Sequence, residues 1–409
     1  MARSNALPRR SPAQWGVRLA LAAMAGILAC FSLMFSLSQV QATANPVLAH
    51  RLAPYSGRVT ARVAAGLSGA DATKADRQRA DRLALQALQQ EPATVTALVV
   101  LGTNAQLRGD KARARVMFNY SEKLSRRDAQ TQLWLIEDAV GRSDISGALR
   151  HYDVALRTSP KLADMLFPVL TAASSDNDIR VPLIHRLVDR PAWSESFVNY
   201  VATTTSDPQA TARFLTGLRH AGFLVPERAQ AALIDMLFAR GSFNEAWAYY
   251  TGIRTNSDRR RSRDSKFNAE LEHPSVFDWV SQNDVGIDTS VQRGKAGGVF
   301  YFSAPASVGG LLIQQGQMLP TGMYRIVGKS TGIDQNENAR PFWTLRCQDG
   351  RELGRVDLPN SSQAQGAFEG KFSVPTGCPV QTLALIARPS DAIGGLNGEI
   401  NHVQLIPTH

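Results

Sequence analysis

Three stretches set 34 residues apart decide the fold: Ala80–Pro92 (ADRLALQALQQEP), Ala114–Arg126 (ARVMFNYSEKLSR) and Ala148–Pro160 (ALRHYDVALRTSP). The same offset aligns Ala84 with Phe118 and Tyr152, and Ala87 with Ser121 and Ala155. Between these stretches a helical face recurs, as Leu98, Leu101, Gly102 and Ala105 in one interval and Leu135, Ile136 and Ala139 in the next. Each period therefore reads as two antiparallel helices. A fixed period across Asp76–Pro160 marks a stacked array whose units bury their apolar faces on one another.

The pattern resembles the tetratricopeptide repeat, which sets a small residue at its eighth position, Ala at the twentieth, an aromatic at the twenty-fourth and Pro at the thirty-second. Gly102, Ala114 and Phe118 match it in one unit, and Ala148, Tyr152, Ala155 and Pro160 in the next. Ile136 departs from it where a small residue is usual, and Gln132 where an aromatic is usual. After Pro160 the period fades, and Pro182, Pro191 and Pro208 are expected to cut the chain into short helices. A helix, turn and helix return at Ala231–Ile253, around Gly241-Ser242, with Ala246 and Tyr250 four apart. Residues 76–254 are thus expected to form one continuous solenoid. The resemblance implies a protein partner held along the first helix of each unit, which points to Thr103, Gln106, Gln130 and Glu137. Phe118, Trp134, Tyr152, Trp193, Trp247 and Tyr250 are assigned to packing.

A 409-residue chain, 44% hydrophobic and 20% charged, is long and apolar enough for two or three folded domains. Its net charge of +10 is unevenly placed: the first 70 residues carry seven arginines and no acid, which leaves only +3 for the remainder. That distribution argues against a nucleic-acid surface, because the basic excess flanks an apolar segment. The segment, Leu19–Leu37, holds 19 uncharged residues. As a helix it spans roughly 28 Å, the thickness of a bilayer core. Arg3, Arg9, Arg10 and Arg18 precede it, so residues 1–18 are expected in the cytoplasm, residues 19–38 in the membrane, and the bulk beyond it, in a bacterial periplasm. The competing reading is a signal peptide cleaved after Ala44, since Ala42-Thr43-Ala44 offers an A-x-A site. Residues 39–75, interrupted by Pro54 and Gly57, read as a spacer. Residues 255–264, with Arg259-Arg260-Arg261-Ser262-Arg263 between Asp258 and Asp264, read as a solvated basic linker.

From 265 to 409 short β-branched or aromatic runs alternate with turns: Val299–Phe302, Leu311–Gln314, Met323–Val327, Phe342–Leu345, Gly370–Val374, Gln381–Ile386 and Val403–Ile406. Seven such runs predict a β-sandwich. The fold class is therefore multidomain α + β: a membrane helix, a helical solenoid and a C-terminal sandwich. Cys347 and Cys378 are the only cysteines outside the apolar segment, and outside the cytoplasm they read as a disulfide. The sandwich, with Phe277-Asp-Trp279, the turn before Tyr324, Trp343 ahead of Cys347 and Gly394–Gly398 before its last strand, resembles the jelly-roll carbohydrate-binding modules. That resemblance implies glycan stacking on exposed aromatics, with Trp279, Tyr301 and Trp343 as candidates.

Catalytic signatures are lacking. Gly328-Lys329-Ser330-Thr331 has the ending of a phosphate loop without its earlier glycine, and the seven histidines show no metal spacing. No metal, cofactor or catalytic residue is expected. The combination suggests a non-enzymatic envelope scaffold in the assembly or export of cell-surface polysaccharide. The alternative is a carbohydrate-active enzyme with two carboxylates converging in the sandwich.

Overall fold

The computed structural model describes residues 12–408 apart from 256, 284–285, 295–296 and 391–392. Arg3, Arg9 and Arg10 lie outside the described residues. Helix α1 (Pro12–Gln41) contains the apolar run. Among the described residues it is the one helix long and apolar enough to cross a membrane, and none of its apolar window is buried.

The expected spacer is folded. It forms α2 (Pro46–Leu52) and α3 (Gly57–Gly66). Ala42, Ala49 and Val59 make one small core, while Ala61 and Ala64 pack with Ala80, Ala84 and Ala87 of α4 (Lys74–Gln90). The Ala and Gly content that suggested looseness is what lets these helices approach closely. A Cβ on Gly57 would stand 2.6 Å from the Ala87 carbonyl oxygen.

The repeats continue as α5 (Val95–Leu107), α6 (Lys111–Leu124), α7 (Ala129–Gly141) and α8 (Ile145–Thr158). The aligned Ala80, Ala114 and Ala148 are all buried. Gly102 lies flat against Phe118, where a Cβ would come within 2.7 Å of the ring. Phe118 in turn stacks on Trp134 of the following unit at 4.5 Å. Aspartates start these helices: Asp110, Asp128 and Asp144 accept from the backbone N–H of Arg113, Thr131 and Gly147, and Thr73 and Asp76 cap α4 reciprocally.

The turn before α6 uses Gly109 at φ 82°, and the equivalent turn before α8 uses Ser143 at φ 58°. Only glycine takes that conformation without a Cβ penalty. Ser143→Gly is therefore expected to stabilise the helical array by about 0.5 to 1 kcal/mol, read as a raised urea midpoint at unchanged slope. A lowered midpoint would sink this account of the turn.

The chain divides into two compact units, Met1–Asp164 and Met165–His409. The helices after Asp164 share a unit with the sandwich. They are α9 (Ala163–Ala173), α10 (Asn177–Val188), α11 (Ser194–Thr204), α12 (Pro208–His220), α13 (Glu227–Ala239) and α14 (Phe243–Ile253). Pro182 sits inside α10 instead of ending it. The hydrogen bond it forgoes is offset by burial of the adjacent Leu183 and of Leu187.

Among the described residues the sandwich has ten strands: β1 (Val280–Ser281), β2 (Asp288–Gly294), β3 (Gly297–Ala304), β4 (Gly310–Gln317), β5 (Gly322–Thr331), β6 (Phe342–Cys347), β7 (Glu352–Asp357), β8 (Ala367–Val374), β9 (Gln381–Ala387) and β10 (Leu396–Pro407). They form two antiparallel sheets, ordered β1-β4-β9-β6-β7 and β2-β3-β10-β5-β8. Their inner faces share one core built on Phe300, Phe302, Ile326, Trp343, Phe372, Leu385 and Leu405. Cys347 at the end of β6 is bonded to Cys378 in the loop before β9. Gly328–Thr331 is part of β5, where no phosphate loop is formed.

Candidate functional site

The sheet β2-β3-β10-β5-β8 keeps one face in the core and turns the other outward. Along β3, Phe300, Phe302 and Ala304 are buried while Val299, Tyr301 and Ser303 alternate outward. Register then sets the neighbours of Tyr301: Ser290 on β2 and Glu399 on β10 lie beside it, and Thr331 on β5 lies beyond Glu399. The adjacent row is Asp288, Ser303 and Asn397. Of these, Asp288, Ser290, Tyr301, Ser303, Asn397 and Glu399 line an open trough of about 400 Å³. The Thr331 hydroxyl donates to the Glu399 carboxylate at 2.8 Å, which fixes that acid on the sheet. An aromatic face flanked by amide, hydroxyl and carboxylate groups can stack on an apolar ring face and bond its hydroxyls.

The three aromatic candidates do not converge. Trp279 is half-buried, packed between Phe267 and Trp343 at 5.5 and 5.8 Å, and its indole N–H donates to the Asp264 carbonyl at 3.0 Å. It lines a separate cleft of about 830 Å³, together with Arg254, Lys266, Asn268, Glu270 and Arg293. Trp343 is 0% exposed. It faces the core between Leu385 and Val356, so it presents no face to a ligand. Both sides of β6 are covered, since the guanidinium groups of Arg355 and Arg388 lie 4.2 and 4.5 Å from the Phe342 ring on the outer side. That is why the run Phe342–Leu345 hid which of its aromatics points inward.

On the helices, Thr103 and Gln106 are half-buried on α5, and Gln130 and Glu137 are exposed on α7. Their spacings of three and seven residues put each pair on one side of its own helix. The Gln106 Oε1 is buried without a hydrogen-bond partner among the described residues.

The basic run hides a residue that its composition did not reveal. Arg263 is buried, where the sequence suggested a solvated linker. Its guanidinium donates to the carbonyls of Phe277 (3.0 Å) and Gly316 and to Gln317 Oε1 (3.2 Å), and its backbone N–H donates to Gln315 Oε1 (3.1 Å). The rings of Trp247, Phe277 and Tyr250 surround it at 5.2, 5.8 and 5.9 Å. Burial pulls its pKa down to about 10, which still leaves it charged at neutral pH. The Tyr250 hydroxyl donates to Asp278 at 2.9 Å, and burial followed by that neighbouring charge pushes the phenol well above its usual range. This cluster joins α14 to the sandwich. The only sequence signal for it was three aromatics, Trp247, Tyr250 and Phe277, on either side of an arginine run.

No family model and no curated protein matches the chain. Among solved structures, the enzymatically active domain of tailspike protein 4 from bacteriophage CBA120 aligns with 33% of this chain at 12% identity and TM-score 0.24, and the chain spans only 20% of that structure's length. The sandwich aligns with carbohydrate-binding modules. A CBM4 structure is covered over 99% of its length by 36% of this chain, at 15% identity and TM-score 0.26. The CBM22-1 xylan-binding domain of Paenibacillus barcinonensis Xyn10C is covered over 91% by 35% of this chain, at 12% identity and TM-score 0.24. At these identities and scores the alignments decide nothing about ligand or activity.

Proposed function

We propose that the chain is a non-catalytic scaffold of a bacterial envelope, anchored by α1, holding a protein partner on tetratricopeptide-like helices and a glycan on the outer face of the β2-β3-β10-β5-β8 sheet. The observation that carries the glycan half is Tyr301, turned outward between Ser290 and Glu399. Anchoring in the inner membrane with the N-terminus in the cytoplasm is supported by the basic flank of the apolar helix. The Cys347–Cys378 bond supports placing the bulk outside the cytoplasm. Surface-polysaccharide assembly or export is the setting that this combination of parts suits.

The enzymatic alternative draws on Asp288 and Glu399, two carboxylates on one trough. They lie two strands apart and offset by two residues, so strand geometry separates their Cα atoms by roughly 12 Å. The hydrogen bond from Thr331 draws the Glu399 carboxylate toward β5, on the side away from Asp288, and so works against the convergence of two carboxyl groups that a glycosidase requires. It favours holding a chain over cutting it.

The test is affinity electrophoresis against a panel of soluble envelope polysaccharides. Loss of a stacked ring by Tyr301→Ala is expected to weaken binding by roughly tenfold or more, while Trp343 substitutions act only through stability. Retardation that is unchanged by Tyr301→Ala, or absent across the panel, removes the glycan half. Release of reducing ends would favour the enzyme.

A further inference from the structure

The helix that crosses the bilayer does not end in a free tether. Ser38, one residue past the apolar run, is fully buried, and its hydroxyl donates to the Ala49 carbonyl of α2 at 2.9 Å. That bond sets Ala49 level with the edge of the hydrocarbon defined by Leu19–Leu37. The rest of the corner is tied in the same way: Ala42 packs on Ala49 and Val59, and the Arg62 guanidinium donates to the Thr43 hydroxyl at 3.0 Å. The side chains that this corner turns outward are mixed in a definite way. Val47 and Tyr55 are at least half exposed and Leu48 is 40% exposed. Arg51 and Arg58 stand among them, both exposed; no acidic residue precedes Asp71, and among the described residues the one acid beside them is Glu91, whose carboxylate lies 3.8 Å from the Nε of a still largely exposed Arg58 side chain. Apolar and aromatic side chains beside arginines, at the depth where a spanning helix leaves the hydrocarbon, have the composition of a bilayer interface. Charge decides which interface, because arginines at headgroup depth gain from anionic lipid and not from zwitterionic lipid.

We infer that the α1–α3 corner is a lipid-binding collar: Val47, Leu48 and Tyr55 enter the headgroup layer, and Arg51 and Arg58 engage the phosphates of anionic phospholipids. This inference rests on the reading that α1 spans the membrane. The collar seats α3, and through Ala61 and Ala64 the first repeat helices, directly on the bilayer surface.

The experiment uses the full chain in bilayer nanodiscs, with Cys30→Ser removing the free thiol and single spin labels placed through Leu48→Cys, Ile27→Cys and, as an aqueous control, Val116→Cys. Depth is read by power saturation with oxygen and a water-soluble nickel complex. With phosphatidylglycerol present, the label at position 48 is expected at headgroup depth, at least roughly 5 Å deeper than in phosphatidylcholine alone or after Arg51→Gln with Arg58→Gln. A label at 48 as accessible to nickel as that at 116, with the label at 27 in hydrocarbon, overturns the collar and leaves the anchor standing. A depth at 48 that ignores lipid charge and both arginines also overturns it. A water-exposed label at 27 removes the spanning helix itself, and the collar with it.

Discussion

Replacing Arg263 with alanine is expected to lower the stability of the Met165–His409 unit by about 3 to 5 kcal/mol, which for a unit of this size moves its melting temperature by roughly 10 °C. Two opposing effects set this size. Burying a guanidinium costs several kcal/mol, and the hydrogen bonds of Arg263 run to neutral acceptors, the carbonyls of Phe277 and Gly316 and the amide of Gln317. Taken alone, that cost would make removal of the charge favourable. Truncation, however, leaves those buried acceptors without their partner, at about 1 to 3 kcal/mol each, and opens a cavity between Trp247, Tyr250 and Phe277. The second effect wins. Arg263→Met, which fills the cage but satisfies no acceptor, should lose less, and Arg263→Lys should fall between because one ammonium cannot serve the same planar set. Denaturant unfolding of the detergent-solubilised chain, followed through tryptophan fluorescence, measures all three. A change below about 0.5 kcal/mol for Arg263→Ala would show that α14 and the sandwich are held together without it.

Arg263 also shows why composition misled. Four arginines and a serine between two aspartates have the look of a solvated linker, and nothing local marks one arginine as buried; its partners come from Phe277, Gly316 and Gln317, brought in by the sandwich fold. The array was legible because its period repeats at Ala80, Ala114 and Ala148, all buried. Residues 39–75 were misread for the converse reason: alanine and glycine give weak apolar signals, yet Ala49, Ala61 and Ala64 are fully buried. In the sandwich, the seven runs rich in branched and aromatic residues became β3, β4, β5, β6, β8, β9 and β10. β2 escaped notice because its outward positions are all polar, although Thr289 and Val291 carry the alternation. Tyr301 was nameable as a candidate but its neighbours were not, since Ser290 and Glu399 lie 11 and 98 positions away in the chain and meet it only through register.

Loss of the Cys347–Cys378 bond is the other large expected effect. The bond closes a loop with a sequence separation of 31, for which the restriction of the unfolded chain gives about 3 to 4 kcal/mol. The surroundings point to the lower end. The Gln381 side chain donates to the Cys378 carbonyl at 2.5 Å and accepts from the Leu319 N–H at 2.9 Å, so the loop before β9 keeps local ties when the sulfurs part. Both cysteines are buried in the sandwich core, and reduction therefore should need partial opening and proceed slowly in native buffer. The Tyr301 trough is built on the opposite sheet. Below the lowered melting point, then, the reduced protein should bind as the oxidised one does, which separates the bond's effect on stability from any effect on recognition. Urea titrations with and without reductant, repeated on the Cys347→Ala, Cys378→Ala double variant, test both parts. Coincident midpoints would mean that the bond contributes nothing to folding. A drop in affinity at temperatures where the reduced sandwich remains folded would place the bond in control of the trough.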